Sequence, residues 1–464
     1  MAVTGVTSAG GRATATPAGS APVRLPTAGL LSFATGSVGM GVWVTVPGLL
    51  LLYFLTDVLA VPPLLAGLAL LLPSVVDVLL HPFVGHLSDA DLARRGHRRR
   101  LMLVGCALAL AFVAMFAVPG QLRGIPAAVW VAVAFVAGNL LFAAYQVPYL
   151  ATPADLAIGY HERTRLMGFR MVVLTVGILL SGVLAPLLAG GDDPARSGYT
   201  LMAVVLAVAM VVTMLVGIGG VRRLRAAAPP PAASVAGRPP PGLRTLLRAL
   251  RDRQFRWLVV SYLAMATTTN LVLAAVPYFA EYELRRPGLT TVLVAAFVAP
   301  ALLATPVWVV VARRLGKQRG LLVAQAAFVA GCLVLALGRT AGLGTLVAAV
   351  AVLGVAFAAM QLLPFSMVPD VVRASGADGT SRAGSYTGVW TAVEAAGGAL
   401  GPYVYAACLA VGGFVASGAG EVVVQSDTAL TMIRYGFGLV PAALMLVALF
   451  AQSRYTLDRT ATLT

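Results

Sequence analysis

Two ionisable residues, Asp77 and His81, lie four positions apart inside an otherwise apolar run of the chain. A spacing of four places both side chains on the same face of a helix. A carboxylate beside an imidazole can share a proton or hold a cation, and histidine titrates near physiological pH. A single carboxylate is a weak sodium site, so the pair predicts proton coupling in preference to sodium coupling. The alternative is a neutral His81 that hydrogen-bonds a neighbouring helix and takes no part in coupling.

The elements around this pair decide its meaning, because charged groups are costly inside a bilayer. The chain has 464 residues, of which 59% are hydrophobic and only 11% are charged, whereas soluble proteins carry about a quarter charged residues. Apolar runs of about 20 residues, long enough to cross a bilayer as a helix, recur along the sequence. We therefore predict an all-α membrane protein with twelve transmembrane helices. The runs cover 29–55, 64–87, 100–119, 126–152, 166–189, 199–221, 257–280, 289–312, 320–338, 344–368, 384–414 and 428–452.

The runs form two sets of six, separated by a basic interruption. This is the pattern of a transporter with two related halves and a central cavity that opens alternately to either side. The predicted organisation is a disordered cytoplasmic tail, an N-terminal six-helix bundle, a cytoplasmic Pro-rich and basic linker, a C-terminal six-helix bundle and a second cytoplasmic tail. Their boundaries are 1–28, 29–221, 222–256, 257–455 and 456–464.

Positive charge is divided unevenly between the two sides that alternate loops define. The net charge is +16, and all but six of the 33 Lys and Arg residues fall on one side. Positive charge is retained on the cytoplasmic side of membranes, so we place both termini in the cytoplasm and the protein in the cell (inner) membrane. The distribution favours a lipid bilayer over nucleic acid as the partner of the basic residues, and we expect a monomer. The exceptions are Arg123, Arg196, Arg285, Arg286, Arg339 and Arg434.

Within the linker, proline triplets at 229–231 and 239–241 precede a basic segment that contains Arg244, Arg248 and Arg251. Spacings of four and three place these arginines on one face of a helix. On that face they can attract the anionic headgroups of the inner leaflet. A plain connection between the two bundles is the alternative interpretation.

The loop after the second predicted span reads GHLSDADLARRGHRRR, and the loop after the eighth reads ARRLGKQRG. The first resembles the signature loop of the major facilitator superfamily, in which an acidic residue and a cluster of arginines lock the cytoplasmic helix ends together. The resemblance implies the major-facilitator fold of two six-helix bundles. It also implies a conformational lock formed by Gly85, Asp89, Arg98 and Arg99.

Further segments are similar to the glycoside-pentoside-hexuronide cation symporters, the melibiose permease family. They are DVLLHPFVGHLSD, LYFLTDV, AAYQVPYLATPADL with HERTRLMGFR, NLVLAAVPYFAEY, and LPFSMVPDVV with SRAGSYTGVWTAVEAAGGALGP. The resemblance covers residues 29–455 and implies cation-coupled symport of a sugar or glycoside. The chain departs from the family pattern at sugar-site positions, with Gly41 and Gln146 where acidic residues are usual and Ala395 where a lysine is usual. His81 stands where the family has a second carboxylate.

The residues expected around the central cavity are richer in aromatic rings and amides than in charge. Such a lining suits an amphipathic or weakly polar solute. For each aromatic residue the alternative is packing between helices or contact with lipid. Arg170 could equally pair with a helix end or with Asp77, and Glu394 could face only a polar gap. The predicted substrate-binding residues are Trp43, Tyr145, Gln146, Tyr149, Arg170, Asn270, Tyr278, Gln361, Trp390 and Glu394.

The sequence therefore predicts a secondary active transporter, a cation-coupled symporter of a small organic solute, with sugars or glycosides as the family default. Two alternatives stay open: a proton-coupled exporter of a hydrophobic metabolite or drug, and a lipid-handling or uncoupled membrane protein. Enzymatic activity is not expected, because the chain has no GK[ST] phosphate loop, HExxH zinc motif or GxSxG nucleophile elbow. We expect no metal and no cofactor beyond the coupling ion.

Overall fold

The computed structural model of the protein describes residues 24–156, 158, 160–190, 196–228, 250–374, 381–421 and 423–457. Helices account for most of this backbone, because a chain inside lipid must satisfy its own backbone hydrogen bonds. The α-helices are α1 (Thr27–Val46), α2 (Pro63–Arg95), α3 (Arg99–Gly105), α4 (Leu108–Phe116), α5 (Gly124–Asp155), α6 (Tyr160–Leu188), α7 (Arg196–Ala227), α8 (Arg253–Tyr278), α9 (Leu289–Leu315), α10 (Lys317–Leu335), α11 (Leu343–Ala374), α12 (Ser381–Val411), α13 (Asp427–Phe437) and α14 (Leu439–Ser453). Short π-helical segments cover Pro47–Leu51, Phe54–Val58 and Phe279–Glu283, and a 3₁₀ turn covers Gly338–Ala341.

Ten helical segments among the described residues are long and apolar enough to cross a membrane. They correspond to every predicted span except the second and the eleventh, whose places are taken by α2 and α12. α2 is 33 residues long; the side chains of 78–82 lie outside the described part of the structure, and the apolar stretch before them, Pro63–Asp77, is shorter than a span. α12 is 31 residues long and carries Ser, Thr, Gly and Glu394 among its apolar residues. The all-helical membrane architecture is therefore confirmed, with ten spans established.

In the N-terminal bundle, α1 lies between α6 and α7, and glycines bring these three helices close together. A Cβ atom at Gly36 would lie 3.1 Å from the Cα of Gly217 on α7. On the other side, a Cβ at Gly41 would lie 2.9 Å from the amide nitrogen of Ile178 on α6. Small residues supply such contacts in membranes because lipid gives little hydrophobic drive for helix association.

The C-terminal bundle is built in the same way. α8, the first helix of this bundle, packs against α12 and α14, as α1 packs against α6 and α7. A Cβ at Gly401 on α12 would lie 2.5 Å from the amide nitrogen of Leu271 on α8. The first helix of each bundle therefore contacts the fifth and sixth predicted spans of that bundle, which supports two related halves.

The two bundles meet along three contacts, between α2 and α12, between α6 and α9, and between Pro47–Leu51 and α8. Gly67 on α2 faces Ala406 on α12, where an added Cβ would lie 2.7 Å from the alanine Cβ. Gly182 on α6 faces Val294 on α9, where an added Cβ would lie 2.9 Å from the valine Cγ1. These small residues allow the bundles to approach closely.

Helices extend past the predicted boundaries of the bundles. α7 continues to Ala227, whereas the apolar pattern predicts an end at 221. Basic residues, including Arg225 in its last turn, continue the helix because positive side chains interact favourably with the negative end of the helix dipole. α1 begins at Thr27, slightly before the predicted start at 29.

The predicted linker 222–256 is helical at both of its ends. α7 continues into it as far as Ala227, and α8 begins within it at Arg253. Asp252 is the N-cap of α8, and its carboxylate accepts hydrogen bonds from two backbone amides of the first turn at 2.8 and 3.2 Å. Of the three arginines predicted on one helical face, only Arg251 is described, in the turn before α8. The rest of that predicted helix lies outside the described residues.

The predicted tails are described only where they adjoin the bundles. Leu25, within the predicted N-terminal tail, is buried, and its amide donates a hydrogen bond of 3.0 Å to Glu162 on α6. Of the predicted C-terminal tail 456–464, the structure describes Thr456 and Leu457. Residues 1–23 and 458–464 lie outside the described part of the chain.

Candidate functional site

Polar side chains join the two bundles at one end of the molecule. Three residues that follow α1 face three residues at and beyond the end of α8. Tyr53 donates a hydrogen bond to Glu281. Tyr282 donates a hydrogen bond to Asp57 in the opposite direction across the interface. We name this cluster the latch; it consists of Tyr53, Thr56, Asp57, Tyr278, Glu281 and Tyr282.

Further contacts close the same end. The hydroxyl groups of Thr56 and Tyr278 share a hydrogen bond of 2.6 Å. Ser417, beyond α12, donates its amide to the carbonyl of Thr56 at 2.9 Å. At the rim, Arg123 pairs with Glu421 at 3.0 Å. Every hydrogen bond between the two bundles that the structure describes lies at this end, so the bundles are held together here.

Matching sequence features produce the two sides of the latch. A Val-Pro pair, Val46-Pro47 in one bundle and Val276-Pro277 in the other, precedes each side. Proline has no backbone N–H group and interrupts α-helical hydrogen bonding. In both bundles the chain continues in π-helical segments, a geometry that is frequent at functional sites.

Asp57 and Glu281 are absent from the predicted site, because each looks like a loop charge at the end of an apolar run. The repeated Val-Pro pair, followed in both bundles by aromatic and acidic residues, is the signal that marks them. Tyr278 belongs to the predicted substrate-binding set, but in this structure it is fully buried in the latch. Its contact with a solute stays a prediction.

Asp57 is almost enclosed by the latch, with 9% of its surface exposed. It accepts hydrogen bonds from Tyr282 and Thr56. Burial disfavours the charged carboxylate and raises the pKa of Asp57 to about 7, although both hydrogen bonds act in the opposite direction. The latch therefore contains a carboxyl group that changes charge near neutral pH.

Three aromatic rings, Tyr262, Phe365 and Trp390, form a cluster between α8, α11 and α12, which we name the aromatic cluster. Trp390 stacks on Tyr262 with ring centroids 4.0 Å apart. Phe365 meets Trp390 edge-on at 5.5 Å. The indole Nε1 of Trp390 is buried and has no hydrogen-bond partner among the described residues. Glu394, one turn further along α12, is exposed, and its carboxylate interacts with the hydroxyl of Tyr262.

This arrangement can hold an amphipathic solute. Phe365 offers an exposed apolar face and the carboxylate of Glu394 offers an acceptor, whereas the rings of Tyr262 and Trp390 are each only 3% exposed and are closed to a solute in this conformation. Gln361 is exposed on α11, one turn before Phe365 and therefore on the same helical face. Tyr262 and Phe365 are missing from the predicted set, because in sequence they do not differ from aromatic residues that pack between helices.

Asn270 takes part in helix packing. Its side-chain amide donates a hydrogen bond of 2.9 Å to the carbonyl of Ala266 on its own helix. A Cβ at Gly401 would lie 2.7 Å from the Cβ of Asn270, so α12 passes directly over this residue. The side chain is half-buried, and its predicted contact with a solute is untested.

Asp77 on α2 and Glu394 on α12 lie about equally far along their helices from the latch. α2 begins and α12 ends at the latch, so the two helices are antiparallel, and Gly67 faces Tyr403 near that end. A step of nine or ten residues along each helix, about 15 Å, leads to Asp77 on one and Glu394 on the other. Asp77 is half-buried. The side chain of His81, one turn further on α2, lies outside the described part of the structure.

The predicted aromatic residues of the N-terminal bundle are packed between helices. Trp43 lies over Gly138, where an added Cβ would be 2.1 Å from the indole ring. Tyr149 donates to the carbonyl of Phe33, and Tyr145 donates to the carbonyl of Met214 at 3.2 Å. These rings are buried and closed to a solute in this conformation. This is the packing alternative stated for aromatic residues in the sequence.

Arg170 and Gln146 lie beside this packed region. Arg170 is 7% exposed, and its guanidinium carbon lies 5.9 Å from the ring centre of Tyr149. Its Nε atom is buried without a hydrogen-bond partner among the described residues. Gln146 on α5 is half-buried. Arg170 thus retains hydrogen-bonding capacity inside the N-terminal bundle, and substrate contact by either residue stays a prediction.

The predicted conformational lock lies at the end opposite the latch. Arg98 donates to Asp155 at 3.1 Å and to Ser88 at 2.7 Å, which ties the end of α2 to the end of α5 within one bundle. Arg99 is exposed. A Cβ at Gly85 would meet no atom within 4 Å, so this glycine makes no close contact in the present conformation. The side chain of Asp89 lies outside the described part.

The described residues contain no group of three or more His, Cys, Asp or Glu side chains placed to hold a metal ion. The chemistry that the arrangement supports is reversible binding and proton exchange. It involves carboxylates at two levels: Asp57 and Glu281 in the latch, and Asp77 and Glu394 further along α2 and α12.

Comparisons with known proteins agree with this architecture. The model of the family described as MFS/sugar transport protein matches residues 32–459. An uncharacterized symporter of Synechocystis sp. is 26% identical over an alignment of 533 positions including gaps, which covers 92% of this chain and 94% of that protein. An isoprimeverose transporter of Lactiplantibacillus pentosus is 26% identical over 427 residues, which cover 88% of this chain and 84% of that protein.

A solved structure has the same fold. It is that of a bacterial homologue of the human lysosomal transporter Spinster in an inward-facing and unoccupied conformation, with a TM-score of 0.70 and coverage of 95% of this chain and 98% of that chain. The sequence identity is 15%, so this likeness concerns the fold alone. The relatives and this structure are transporters rather than enzymes. The resemblance to glycoside and cation symporters is therefore confirmed.

Proposed function

Because this chain belongs to the MFS/sugar transport protein family, we propose that it is a secondary active transporter that carries a small sugar-like or glycoside-like solute together with a cation. The proposal counts α2 and α12 as spans beside the ten established ones, which gives twelve, six in each bundle. It places the protein in the cell (inner) membrane as a monomer. Both termini are cytoplasmic, since basic residues concentrate at the end opposite the latch.

Closure of the two bundles at one end is the observation that carries this proposal. A carrier with a central site keeps one side closed while the other side admits the solute. The latch closes the end that the charge distribution assigns to the outside. The hydrogen bonds described at the opposite end stay within one bundle, as between Arg98 and Asp155. This asymmetry is what an alternating-access carrier needs in its inward-facing state.

The aromatic cluster with Glu394 is the proposed solute site. A sugar ring has apolar faces that stack on aromatic rings and hydroxyl groups that donate to a carboxylate. Glu394 supplies an acceptor in this chain although the family lysine is replaced by Ala395. Gln361 adds an amide on the neighbouring helix.

The two carboxylates about equally far along α2 and α12 from the latch support coupling to a proton. Closing the inner end brings α2 and α12 together, and with them Asp77 and Glu394. Two like charges in a narrow space of low dielectric repel strongly, so closure requires that one carboxylate gains a proton or a hydrogen-bond donor. His81, one turn from Asp77, can exchange that proton near neutral pH. Proton and solute together then permit a closure that neither permits alone.

The test is solute-driven proton movement in proteoliposomes that contain the purified protein and a pH-sensitive dye. The panel consists of pentosides, hexosides and amphiphilic metabolites. The parent is compared with Asp77→Asn, His81→Ala and Glu394→Gln. Asp427→Asn is the matched control, because Asp427 is an exposed acidic residue in the first turn of α13, away from both sites.

We expect at least one glycoside to drive proton uptake in the parent and in Asp427→Asn. Asp77→Asn and His81→Ala should lower this uptake by at least about tenfold, which corresponds to about 1.4 kcal/mol of coupling. Uptake that follows sodium and ignores protons would show that the coupling ion is wrong. If no compound moves protons or responds to sodium, the proposal of cation symport is wrong and a facilitator or lipid-handling function replaces it. If only fluorescent amphiphiles leave the vesicles, an export function replaces it.

A further inference from the structure

A cavity of about 150 Å³ lies between the ends of α3, α5 and α7, at the end of the N-terminal bundle opposite the latch. It is separate from α8, α11 and α12, which carry the proposed solute site. Its inner wall is apolar and includes Met102 and Ile218. Its charged lining residues are Arg98, Arg99, Asp155, Arg222 and Arg225.

Positive charge exceeds negative charge around this cavity. Among the described lining residues, four arginines face one acidic residue, which leaves three positive charges. The acidic residue, Asp155, is already engaged by Arg98 at 3.1 Å. The Nη2 atom of Arg225 is buried and has no hydrogen-bond partner among the described residues. A buried guanidinium N–H group without an acceptor is unfavourable, so the cavity favours an anion with several acceptor oxygens.

The position of the cavity indicates where that anion comes from. Next to it, Val104 on α3 is 57% exposed, and Leu215 and Val216 on α7 are 45% and 42% exposed. These apolar side chains face lipid in a membrane-spanning bundle. The arginines lie immediately beyond them at the helix ends, which is the level of the phospholipid headgroups. Positive side chains at this level attract anionic lipids.

We propose that this cavity binds a phosphate group, and that its source is the headgroup of an anionic phospholipid. Arg225 and Arg222 from α7 and Arg99 from α3 supply guanidinium donors, which match phosphate oxygens in a bidentate manner. One water molecule needs about 10–15 Å³ of cavity volume. With about 150 Å³, this cavity has room for a phosphate group with its first ester atoms. The bound lipid joins α3 to α7 beside the predicted lock.

The experiment is native mass spectrometry of the full-length protein, released from detergent after incubation with phosphatidylglycerol or phosphatidylcholine. Arg222→Gln/Arg225→Gln is compared with Arg313→Gln/Arg314→Gln. The second pair is exposed and lies in the last turn of a helix, α9, in the other bundle. Arg225→Lys keeps the charge but loses the bidentate geometry. A parallel arm adds inorganic phosphate at about 20 mM.

We expect the parent and Arg313→Gln/Arg314→Gln to retain phosphatidylglycerol in preference to phosphatidylcholine. Arg222→Gln/Arg225→Gln should retain at least about tenfold less, since each arginine contributes roughly a fivefold effect at a membrane surface, and Arg225→Lys should fall between. Equal loss in both double variants would show a general charge effect and overturn the site. Displacement of the lipid by inorganic phosphate would overturn the lipid source. A matching thermal unfolding curve shows that each variant is folded.

Discussion

The latch end and the opposite end of the molecule are held by different kinds of contact. At the latch end, tyrosine hydroxyls reach from each bundle to a carboxylate of the other bundle, which is buried Asp57 on one side and half-buried Glu281 on the other. At the opposite end, the described ion pairs stay within one bundle: Arg98 pairs with Asp155, and Lys317 pairs with Asp370. The first kind must break when the bundles rock, whereas the second kind survives the motion.

This difference indicates where the free energy that controls gating resides. A hydrogen bond to a charged group contributes about 1.5–3 kcal/mol, and one between neutral groups about 0.5–1.5 kcal/mol; two tyrosine–carboxyl bonds cross the latch, from Tyr53 to Glu281 and from Tyr282 to Asp57. The partly exposed pair of Lys317 with Asp370 at the opposite end contributes about 0–1 kcal/mol. Rocking of one bundle against the other therefore depends on the latch and on the helix contacts beside it, and it depends little on ion pairs inside a bundle. Substitutions at the two ends should differ accordingly.

The largest effect is expected from Gly67→Leu, next to the latch. A Cβ at this position would lie 2.7 Å from the Cβ of Ala406 on the other bundle. Overpacking costs about 1–3 kcal/mol, so the closed latch should be disfavoured by about tenfold or more. We expect transport to fall at least about tenfold. Labelling of Ser417→Cys, a buried position in the parent, by a membrane-impermeant maleimide should rise.

The control for this substitution is Gly168→Leu on α6. A Cβ at Gly168 would meet no atom within 4 Å, so a larger side chain should change neither transport nor labelling. Unchanged labelling of Ser417→Cys in the Gly67→Leu protein would show that the contact between α2 and α12 does not support the latch.

A smaller effect is expected from pH, through Asp57. In an open latch this carboxyl faces water and has an ordinary pKa of about 4, whereas burial raises its pKa to about 7 when the latch is closed. Protonation of Asp57 therefore favours the closed latch. This contribution is fully present below about pH 4 and is lost as the pH rises through about 7. Between about pH 6 and about pH 8, the ratio of closed to open latch should fall by about tenfold.

Labelling of Ser417→Cys across this pH range measures the effect. Maleimide reactivity itself depends on pH, so rates are divided by those of Val424→Cys, which is 91% exposed in the parent. In Asp57→Asn the corrected rate should vary much less with pH than in the parent. If the corrected rate varies just as little with pH in the protein that keeps Asp57, this residue is not the source of the pH dependence.

The sequence reveals helices in this protein more readily than helix ends. A span must be continuously apolar to cross lipid, and ten of the predicted runs meet that condition in the structure. The ends are harder to predict, because charged residues prolong helices beyond the lipid. α7 ends two residues after Arg225, and α2 continues to Arg95.

Side-chain direction could not be predicted, because a membrane helix is apolar both toward lipid and toward neighbouring helices. Trp43 and Trp390 look alike in the sequence. In the structure, Trp43 fills the space over Gly138, whereas Trp390 stacks on Tyr262 beside Glu394. Only the contacts of the neighbouring helices distinguish a packing residue from a residue of the candidate site.

The smallest effect is expected from Lys317→Gln at the end opposite the latch. Lys317 pairs with Asp370 within the C-terminal bundle, and the two side chains are 33% and 29% exposed. Solvent screening limits such a pair to less than about 1 kcal/mol. Thermal stability, transport and Ser417→Cys labelling should therefore stay within about twofold of the parent, and Asp370→Asn should behave alike. If Lys317→Gln instead opened the latch as far as Gly67→Leu does, ion pairs within a bundle would also control gating, and the contrast between the two ends would not hold.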